Sequence, residues 1–285
     1  MEFTSPAGEQ KYAAFVGAAH RAVVACDFDG TLSPIVDDPE QAHIHPDAGP
    51  VLVDLAAEVA AVAVVTGRPA RQALDLGGLE EVGNAIAESG RELFLFGQYG
   101  NERWSSTRRR IVSPRPPQGL AAFLRDLPRA LRAAGAEDAW VEDKGLAHAV
   151  HTRRLPEPDA AFNRLLPVLR ELAVRTGLSV EPGRQVIEVR APGMDKGKAV
   201  MTLVEEVDAG AFLFAGDDLG DIEAFDAVCA LADRGMPTLL VCSASEEESA
   251  LMDRADVIVH GPAGVVDLLR RLTADIRAAH AHVDA

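Results

Sequence analysis

The sequence predicts an α/β protein with a doubly wound, mostly parallel sheet that is split in sequence by a smaller inserted domain. Short runs of small and β-branched apolar residues alternate with helix-length segments towards both ends of the 285-residue chain, which is typical of parallel strands buried on both faces. Three of these runs end abruptly in Asp or Thr. The pattern changes between about residues 113 and 190, where helices precede pairs of short strands and indicate a separate antiparallel unit.

The first apolar run, residues 22–26, ends in two carboxylates. It is followed by Asp27-Phe28-Asp29-Gly30, and residues two apart at the end of a strand project to the same side. Two like charges with no cation beside them in sequence need a metal ion or a shared proton to offset their repulsion. Taken alone, this segment could be no more than a polar turn, so its meaning depends on the rest of the chain.

The second run gives the first crossover of the sheet. A helix is expected over about residues 48–57, followed by a strand over residues 62–65 that ends in Thr66-Gly67-Arg68-Pro69. Parallel crossovers are right-handed, and ligands collect at the carboxyl edge of the resulting sheet. Thr66 is then placed to hydrogen-bond an anionic oxygen, and a further strand is expected over residues 93–96.

The Pro-rich segment 113–117 separates this part from the inserted unit. Helices over residues 120–134 and 159–176 each precede two short strands, at 140–142 with 147–151 and at 178–181 with 185–189. This αββαββ order predicts a small antiparallel sheet backed by two helices. The predicted domains are 1–112 and 191–285, which together form the core, and 113–190, which forms the insertion.

The first architecture resumes after the insertion. Lys196 opens a helix that runs to about residue 207, and the strand over residues 211–215 ends in Gly216-Asp217-Asp218-Leu219-Gly220-Asp221. Strands over residues 238–242 and 257–259 and a helix over residues 264–279 complete the pattern. The core therefore has polar residues after three strands and a Lys at a helix start.

Together these residues predict a phosphoryl-transfer site. Mg²⁺ prefers oxygen ligands and takes one or two carboxylates, which Asp27 and Asp217 can supply. Asp27 is the candidate nucleophile, because a carboxylate splits hydrolysis into two steps through an acyl-phosphate. Asp29 is the candidate acid and base for the leaving group and the attacking water. Thr66 and Lys196 would hold the phosphate oxygens.

The same residues resemble, in order, the four motifs of the haloacid dehalogenase-like hydrolases: Asp-Phe-Asp-Gly-Thr, Thr66, Lys196 and Gly-Asp-Asp-x-x-Asp. The inserted segments Glu142-Asp143-Lys144-Gly145, Glu181-Pro182-Gly183-Arg184 and Glu188-Val189-Arg190 are similar to the cap signatures of the trehalose-6-phosphate phosphatases. The resemblance implies a Rossmann-like haloacid dehalogenase core with an inserted cap. It also implies a magnesium-dependent phosphatase that cleaves trehalose 6-phosphate to trehalose and inorganic phosphate.

The site residues that follow from the motifs fall into three groups. The phosphate is expected to meet Thr66, Gly67 and Lys196. Mg²⁺ is expected among Asp27, Asp29, Asp217, Asp218 and Asp221, with no distinction yet between direct and indirect ligands in the last three. By the resemblance, the sugar is expected to contact Glu102, Glu142, Lys144, Glu181, Arg184 and Glu188.

The resemblance has departures, and two other functions stay open. This chain has Thr152 after His151 where the family usually has Tyr, Gly220 where it usually has Thr, and Arg184 where Lys is common. A close alternative is therefore a phosphatase of another sugar or pseudo-sugar phosphate. A more distant one is a non-enzymatic phospho-acceptor module, which has no need of Asp29 as an acid or of a cap.

Composition limits the partners and the location. The chain has 28 basic and 44 acidic residues and a formal charge of −16, which disfavours non-specific binding to nucleic acid or an anionic membrane. The three cysteines, Cys26, Cys229 and Cys242, lack metal-ligand spacing. No secretory signal or membrane-spanning run is recognised, so the expected location is cytoplasmic. The expected partner is a small sugar phosphate, and a monomer is slightly favoured although nothing in the sequence sets the oligomeric state.

Overall fold

The larger part of the protein is built around an eight-stranded, mostly parallel sheet. The computed structural model describes residues 1–36, 38–183, 185–244 and 251–283. The chain forms two units, one of Met1–Val112 with Asp195–Ala285 and one of Ser113–Met194. The return to the first unit thus lies four residues after the predicted position, 190/191.

The strands are, in chain order, β1 (Glu2–Phe3), β2 (Ala22–Cys26), β3 (Ala61–Val65), β4 (Leu93–Gly97), β5 (Glu102–Ser105), β6 (Trp140–Asp143), β7 (Ala147–His151), β8 (Ser179–Gly183), β9 (Val186–Arg190), β10 (Ala211–Gly216), β11 (Thr238–Ala244) and β12 (Val257–His260). The α-helices are α1 (Pro6–Gly17), α2 (Ala48–Ala56), α3 (Ala70–Gly77), α4 (Leu79–Glu88), α5 (Gln118–Ala134), α6 (Pro158–Thr176), α7 (Lys196–Val207), α8 (Ile222–Ala232) and α9 (Gly261–Val283).

The sheet of the first unit has the strand order β1-β12-β11-β10-β2-β3-β4-β5. Its six inner strands are parallel, and the edge strands β1 and β5 are antiparallel to their neighbours. Every residue of β2 is buried. Val24 packs on the face covered by residues such as Leu52 of α2, whereas Val23 packs on the face covered by Leu203 of α7 and Phe225 of α8. Helices therefore cover both faces, which confirms the predicted doubly wound α/β class.

The strand order places the polar strand ends side by side. β2 lies between β10 and β3, with Cys26 opposite Ala215 on one side and Val64 on the other. The residues that follow these three parallel strands therefore meet at one carboxyl edge. That edge carries Asp27, Thr66 and Asp217.

The second unit is the predicted αββαββ arrangement. Its sheet has the order β6-β7-β9-β8 and is antiparallel throughout. Val150 and Ile187 on one face pack with Leu127 of α5 and Leu169 of α6, which leaves the other face without helices from this unit. Among the helices of the described residues, none is long and apolar enough to cross a membrane.

Candidate active site

Asp27 and Lys196 form the centre of the site. Asp27 follows β2 directly, and its backbone N–H donates to the Ala215 carbonyl of β10 at 2.8 Å. Lys196 is the first residue of α7, whose N-cap Asp195 accepts a hydrogen bond from the Lys198 N–H. The Lys196 Nζ lies 2.6 Å from Asp27 Oδ1 and 2.7 Å from Asp221 Oδ1. All three side chains are buried, so the ammonium holds two carboxylates in a site of low polarity.

A third buried carboxylate, that of Asp217, completes an acidic cluster. One oxygen from each of Asp27, Asp217 and Asp221 lies within 4.8 Å of the others. Asp221 Oδ2 also accepts the Asp217 N–H at 3.0 Å, which fixes the turn after β10. The cluster is assembled from two distant segments of the chain, as expected from the sequence.

Burial dominates the electrostatics of the cluster. Desolvation raises the pKa of Asp27 well above its ordinary value, although Lys196 lowers it in part. Desolvation and then the charge of Asp27 raise the pKa of Asp217 to about 10. Burial lowers the pKa of Lys196, but the carboxylates of Asp221 and Asp27 outweigh this effect and raise it well above its ordinary value. The ammonium therefore stays charged, and the carboxylates favour a proton or a further cation.

The cluster fits a hard divalent cation. Its donors are carboxylate oxygens, which Mg²⁺ prefers, and they are close enough to share one ion. Gly30 is part of this fit, because its φ is +69° and a Cβ built there would overlap the Asp217 carboxylate. Ser243 of β11 donates to the Gly30 carbonyl at 2.7 Å and holds the turn beneath it. Asp27, Asp217 and Asp221 are thus the residues that would hold Mg²⁺.

Two other predicted magnesium residues have different surroundings. Asp218 is exposed, and its Oδ1 accepts the Gly220 N–H at 2.9 Å as the cap of a short helical turn. Asp29 pairs with Arg68, so that both of its oxygens accept hydrogen bonds of 2.7 Å from the guanidinium. Neither joins the cluster of three carboxylates among the described residues.

Arg68 also lies at the site, and sequence reasoning gave it no role. It is 9% exposed, and its third hydrogen bond, of 2.8 Å, goes to the Pro39 carbonyl. The guanidinium carbon also lies 5.5 Å from the Phe28 ring centroid. The sequence did contain an indication of this pairing. Arg68 follows Thr66 and Gly67 at the end of one strand, and the neighbouring strand ends in carboxylates with which a cation can pair. The two-pronged contact fixes the orientation of Asp29.

The turn after β3 is held tightly by the segment that follows β4. The Thr66 N–H donates to Phe96 O at 2.8 Å, Gln98 N–H to Arg68 O at 2.8 Å, and Tyr99 N–H to Thr66 O at 2.9 Å. Thr66 Oγ1 accepts the Arg68 N–H at 3.1 Å. Gly67 is required by this packing, since a Cβ there would lie 2.7 Å from the Tyr99 ring.

Glu102 also contacts this turn. Its Oε2 accepts the Ala70 N–H at 2.7 Å, at the first residue of α3. The resemblance assigned Glu102 to the sugar, whereas this hydrogen bond places the carboxylate at the start of a core helix.

Among the described residues, the remaining sugar candidates belong to the open face of the sheet in the second unit. Glu142, Ala149, Glu188 and Glu181 are directly opposite one another across the four strands, so their side chains share a face. The Lys144 ammonium lies 2.7 Å from Glu188. We call this set, with the residues paired to it, the polar cap face.

Three further side chains, those of Arg190, His151 and Trp140, belong to the polar cap face. Arg190 donates to Glu181 at 3.0 Å. His151 Nε2 is 2.9 Å from Glu142, and its ring stacks on Trp140 with centroids 4.4 Å apart. Sequence reasoning did not assign roles to Arg190, Trp140 or His151, although alternation along the strands places them on this face. Arg184 lies outside the described residues.

Several known proteins are similar to this chain. The family model described as Trehalose-phosphatase matches residues 25–257. An uncharacterised glycosyl hydrolase of Mycobacterium tuberculosis is 36% identical over 219 residues, which are 73% of this chain and 15% of that protein. A trehalose-phosphate phosphatase of Mycobacterium ulcerans is 30% identical over 267 residues, which are 90% of this chain and 62% of that protein.

Similarity to a solved structure extends over nearly the whole chain. The C-terminal domain of a Candida albicans trehalose-6-phosphate phosphatase superposes with a TM-score of 0.72 at 19% identity, over 96% of this chain and 98% of that one. This likeness concerns the fold. The chain spans less than two thirds of the length of these two curated relatives. Because the family model covers more than half of the residues and includes both acidic motifs, the chain belongs to the trehalose-phosphatase family.

Proposed function

We propose that this protein is a magnesium-dependent phosphatase that hydrolyses trehalose 6-phosphate to trehalose and inorganic phosphate through an aspartyl-phosphate on Asp27. The observation that carries the proposal is the buried cluster of Asp27, Asp217 and Asp221 with Lys196 at the carboxyl edge of the sheet. Such a cluster is costly to bury unless a further cation offsets the carboxylate charges, and that cation can in turn bind an anionic phosphate. Family membership supports the choice of trehalose 6-phosphate.

The first half-reaction transfers the phosphoryl group to Asp27. An oxygen of the Asp27 carboxylate attacks phosphorus, and the bond from phosphorus to the sugar oxygen breaks. Asp29 gives its proton to that oxygen, so that trehalose leaves as an alcohol and Asp29 becomes a carboxylate. Lys196 and Thr66 stabilise the negative charge on the phosphate oxygens during the transfer.

The second half-reaction restores the enzyme. Water attacks phosphorus and gives a proton to the Asp29 carboxylate, while the bond from phosphorus to Asp27 breaks. Inorganic phosphate leaves, Asp27 is again a carboxylate and Asp29 is again protonated. Arg68 supports this second step, because its guanidinium donates to both oxygens of the Asp29 carboxylate and so directs the form that accepts the proton. When bound at Asp27, Asp217 and Asp221, Mg²⁺ would offset the repulsion between the anionic nucleophile and the anionic phosphate.

The polar cap face is the proposed source of sugar specificity. Carboxylates accept hydrogen bonds from hydroxyl groups, and Lys and Arg donate to them, so Glu142, Glu181, Glu188 and Lys144 together match a polyhydroxylated ligand. Their mutual ion pairs hold these side chains in defined directions before a ligand arrives. Arg184 is retained in this set as a proposal from the sequence.

The proposal is tested by phosphate release from a panel of trehalose 6-phosphate, glucose 6-phosphate, sucrose 6-phosphate and p-nitrophenyl phosphate, with Mg²⁺ and with EDTA. We expect the highest kcat/KM for trehalose 6-phosphate and no turnover in EDTA. Glu181→Ala should lower kcat/KM for trehalose 6-phosphate and leave p-nitrophenyl phosphate unchanged, because the small ester has no sugar. Preference for another sugar phosphate would contradict the substrate, and stable phosphorylation of Asp27 without turnover would favour a phospho-acceptor module.

A further inference from the structure

We propose that Glu102 is a positioning residue of the phosphate-binding turn, and that it acts through the start of α3 rather than by binding the sugar. The proposal builds on the proposed function, since it concerns how Thr66 and Asp29 are held for that reaction. It differs from the role that the resemblance gives to Glu102. The reasons lie in the hydrogen bonding of α3 and of the turn before it.

The start of α3 has no cap of its own. The residue before the helix is Pro69, whose side chain accepts no hydrogen bond, and the first turn contains no acidic residue. The first N–H groups of any helix lack partners within the helix. Glu102 supplies one from β5, with its Oε2 at 2.7 Å from the Ala70 nitrogen. A carboxylate there also interacts favourably with the positive end of the helix dipole.

The same helix start carries the phosphate-binding turn. Residues 66–69 connect β3 to α3, so any movement of Ala70 moves Thr66 and Arg68. A Cβ on Gly97 would lie 2.6 Å from the Ala70 nitrogen, which means that the end of β4 packs directly against the helix start. Glu102 is therefore one end of a strap, residues 96–102, that holds the turn.

Backbone strain in the strap supports a functional role for it. Gln98 and Tyr99 adopt left-handed φ values of 49° and 57°, which side-chain-bearing residues adopt at a cost. Both residues donate their N–H groups to the turn, to Arg68 O and Thr66 O. The strain persists because these bonds and the Glu102 cap hold the strap in place. Removing the cap should let the turn and strap relax together.

Two catalytic groups depend on this turn. Thr66 is the predicted ligand of a phosphate oxygen, and Arg68 holds both oxygens of Asp29. A shift of the turn would therefore impair phosphate binding and the proton transfer from water to Asp29, which are common to every ester. Loss of a sugar contact would instead impair only the sugar substrate. The two roles make opposite predictions.

The experiment compares Glu102→Ala and Glu102→Gln with trehalose 6-phosphate and p-nitrophenyl phosphate. Glu102→Ala should lower kcat/KM for both esters, by about tenfold to a hundredfold, as a displacement of order 1 Å does. Inhibition by inorganic phosphate should weaken in parallel. Glu102→Gln should stay within about threefold of the wild type, because its amide oxygen can still accept the Ala70 N–H.

Glu181→Ala on the polar cap face is the matched control, and should impair trehalose 6-phosphate alone. The proposal is overturned if Glu102→Ala impairs trehalose 6-phosphate alone or leaves both esters unaffected. If Glu102→Ala does not fold, the kinetics of Glu102→Gln test the proposal. A lower kcat/KM for trehalose 6-phosphate alone would identify Glu102 as a sugar ligand and overturn the proposal. Wild-type protein that cleaves p-nitrophenyl phosphate but not trehalose 6-phosphate would contradict the proposed substrate, while phosphate inhibition and the small ester would still test Glu102.

Discussion

The carboxylates of the site differ in the groups that surround them. Asp27 and Asp221 share the Lys196 ammonium, Asp217 lies against Gly30, and Asp29 is bound by Arg68. Only Asp27 combines a strand-end position with a direct contact to the cation that would also meet the phosphate. This difference in surroundings, rather than the Asp residue type, is the reason for proposing Asp27 as the nucleophile.

Replacing the nucleophile should abolish turnover without unfolding the protein. Asp27→Asn keeps the side-chain volume but removes the attacking carboxylate, so we expect kcat to fall by about a thousandfold or more. The measurement is phosphate release from p-nitrophenyl phosphate, with circular dichroism as the check on folding. Asp208→Asn is the matched control, because Asp208 is exposed at the end of α7 and should keep full activity. Substantial activity in folded Asp27→Asn would refute the mechanism.

Arg68 should matter through the geometry of its guanidinium. Arg68→Met removes both hydrogen bonds to Asp29, and we expect kcat for p-nitrophenyl phosphate to fall about a hundredfold, with a smaller change in KM. Arg68→Lys should recover part of the loss, because an ammonium replaces the charge but not the two-pronged contact.

Arg71→Met serves as the comparison for Arg68, since Arg71 forms an exposed pair with Glu80. Its kinetics should match the wild type. Steady-state kinetics that are equal for folded Arg68→Met and Arg71→Met would show that Asp29 needs no such support.

At the scale of elements, the loop after β2 is shaped around the acidic cluster. Gly30 lets the chain turn with a positive φ and lets Asp217 approach from the end of β10. Ser243 holds the Gly30 carbonyl from β11. Three strands thus determine the position of one turn, and its geometry should control the affinity for the metal.

Gly30→Ala should weaken Mg²⁺ binding. The new methyl group would overlap the Asp217 carboxylate, and the backbone conformation adds about 1 kcal/mol of strain. The Mg²⁺ concentration that gives half-maximal activity should rise at least about tenfold. Gly90→Ala isolates the strain, because Gly90 has φ +74° and open space around a built Cβ. If both variants need the same Mg²⁺ concentration, the overlap with Asp217 has no functional effect.

The strands and their polar ends were predictable from sequence, because burial on both faces leaves a continuous apolar run. The observed bounds of β2, β3 and β10 differ by at most one residue from those expected. The edge strands β1 and β5 and the helices α1, α4 and α8 were not predicted. Edge strands lack the two-sided apolar pattern, and β1 is only two residues long, so its pairing with β12 is a tertiary effect.

The residue types of the site were predictable, but several partnerships were not. Asp27, Asp217 and Asp221 lie together because strand order brings their loops to one edge of the sheet, and Lys196 reaches them from the start of α7. The pairing of Asp29 with Arg68 depends on the path of two loops, which periodicity does not describe. The hydrogen bond from Ala70 to Glu102 likewise depends on β5 folding back along β4. Sequence patterns therefore predict which residues form the site, whereas tertiary packing determines the hydrogen-bond partner of each residue.

For the whole molecule, we expect the acidic cluster to link stability to pH and to Mg²⁺. Burial, followed by the charges of Asp27, Asp218 and Asp221, raises the pKa of Asp217 from 3.8 to about 10. An unfolded chain loses this proton near pH 4, whereas the metal-free folded state keeps it to about pH 10. Between these values the folded state binds more protons than the unfolded state, so stability must fall as the pH rises.

The melting temperature in EDTA should therefore decrease from pH 6 to pH 9, and Mg²⁺ should raise it more at pH 9 than at pH 6. The cation and the proton compete for the same carboxylates, so Mg²⁺ binding releases protons and gains from high pH. Differential scanning fluorimetry at fixed ionic strength measures both trends.

Asp217→Asn should flatten the pH dependence in EDTA and reduce the Mg²⁺ shift, because its amide neither titrates nor offers a charged ligand. An unchanged pH slope in Asp217→Asn would place the origin of the trend elsewhere in the protein, and a Mg²⁺ shift equal at both pH values would separate metal binding from the protonation of this cluster.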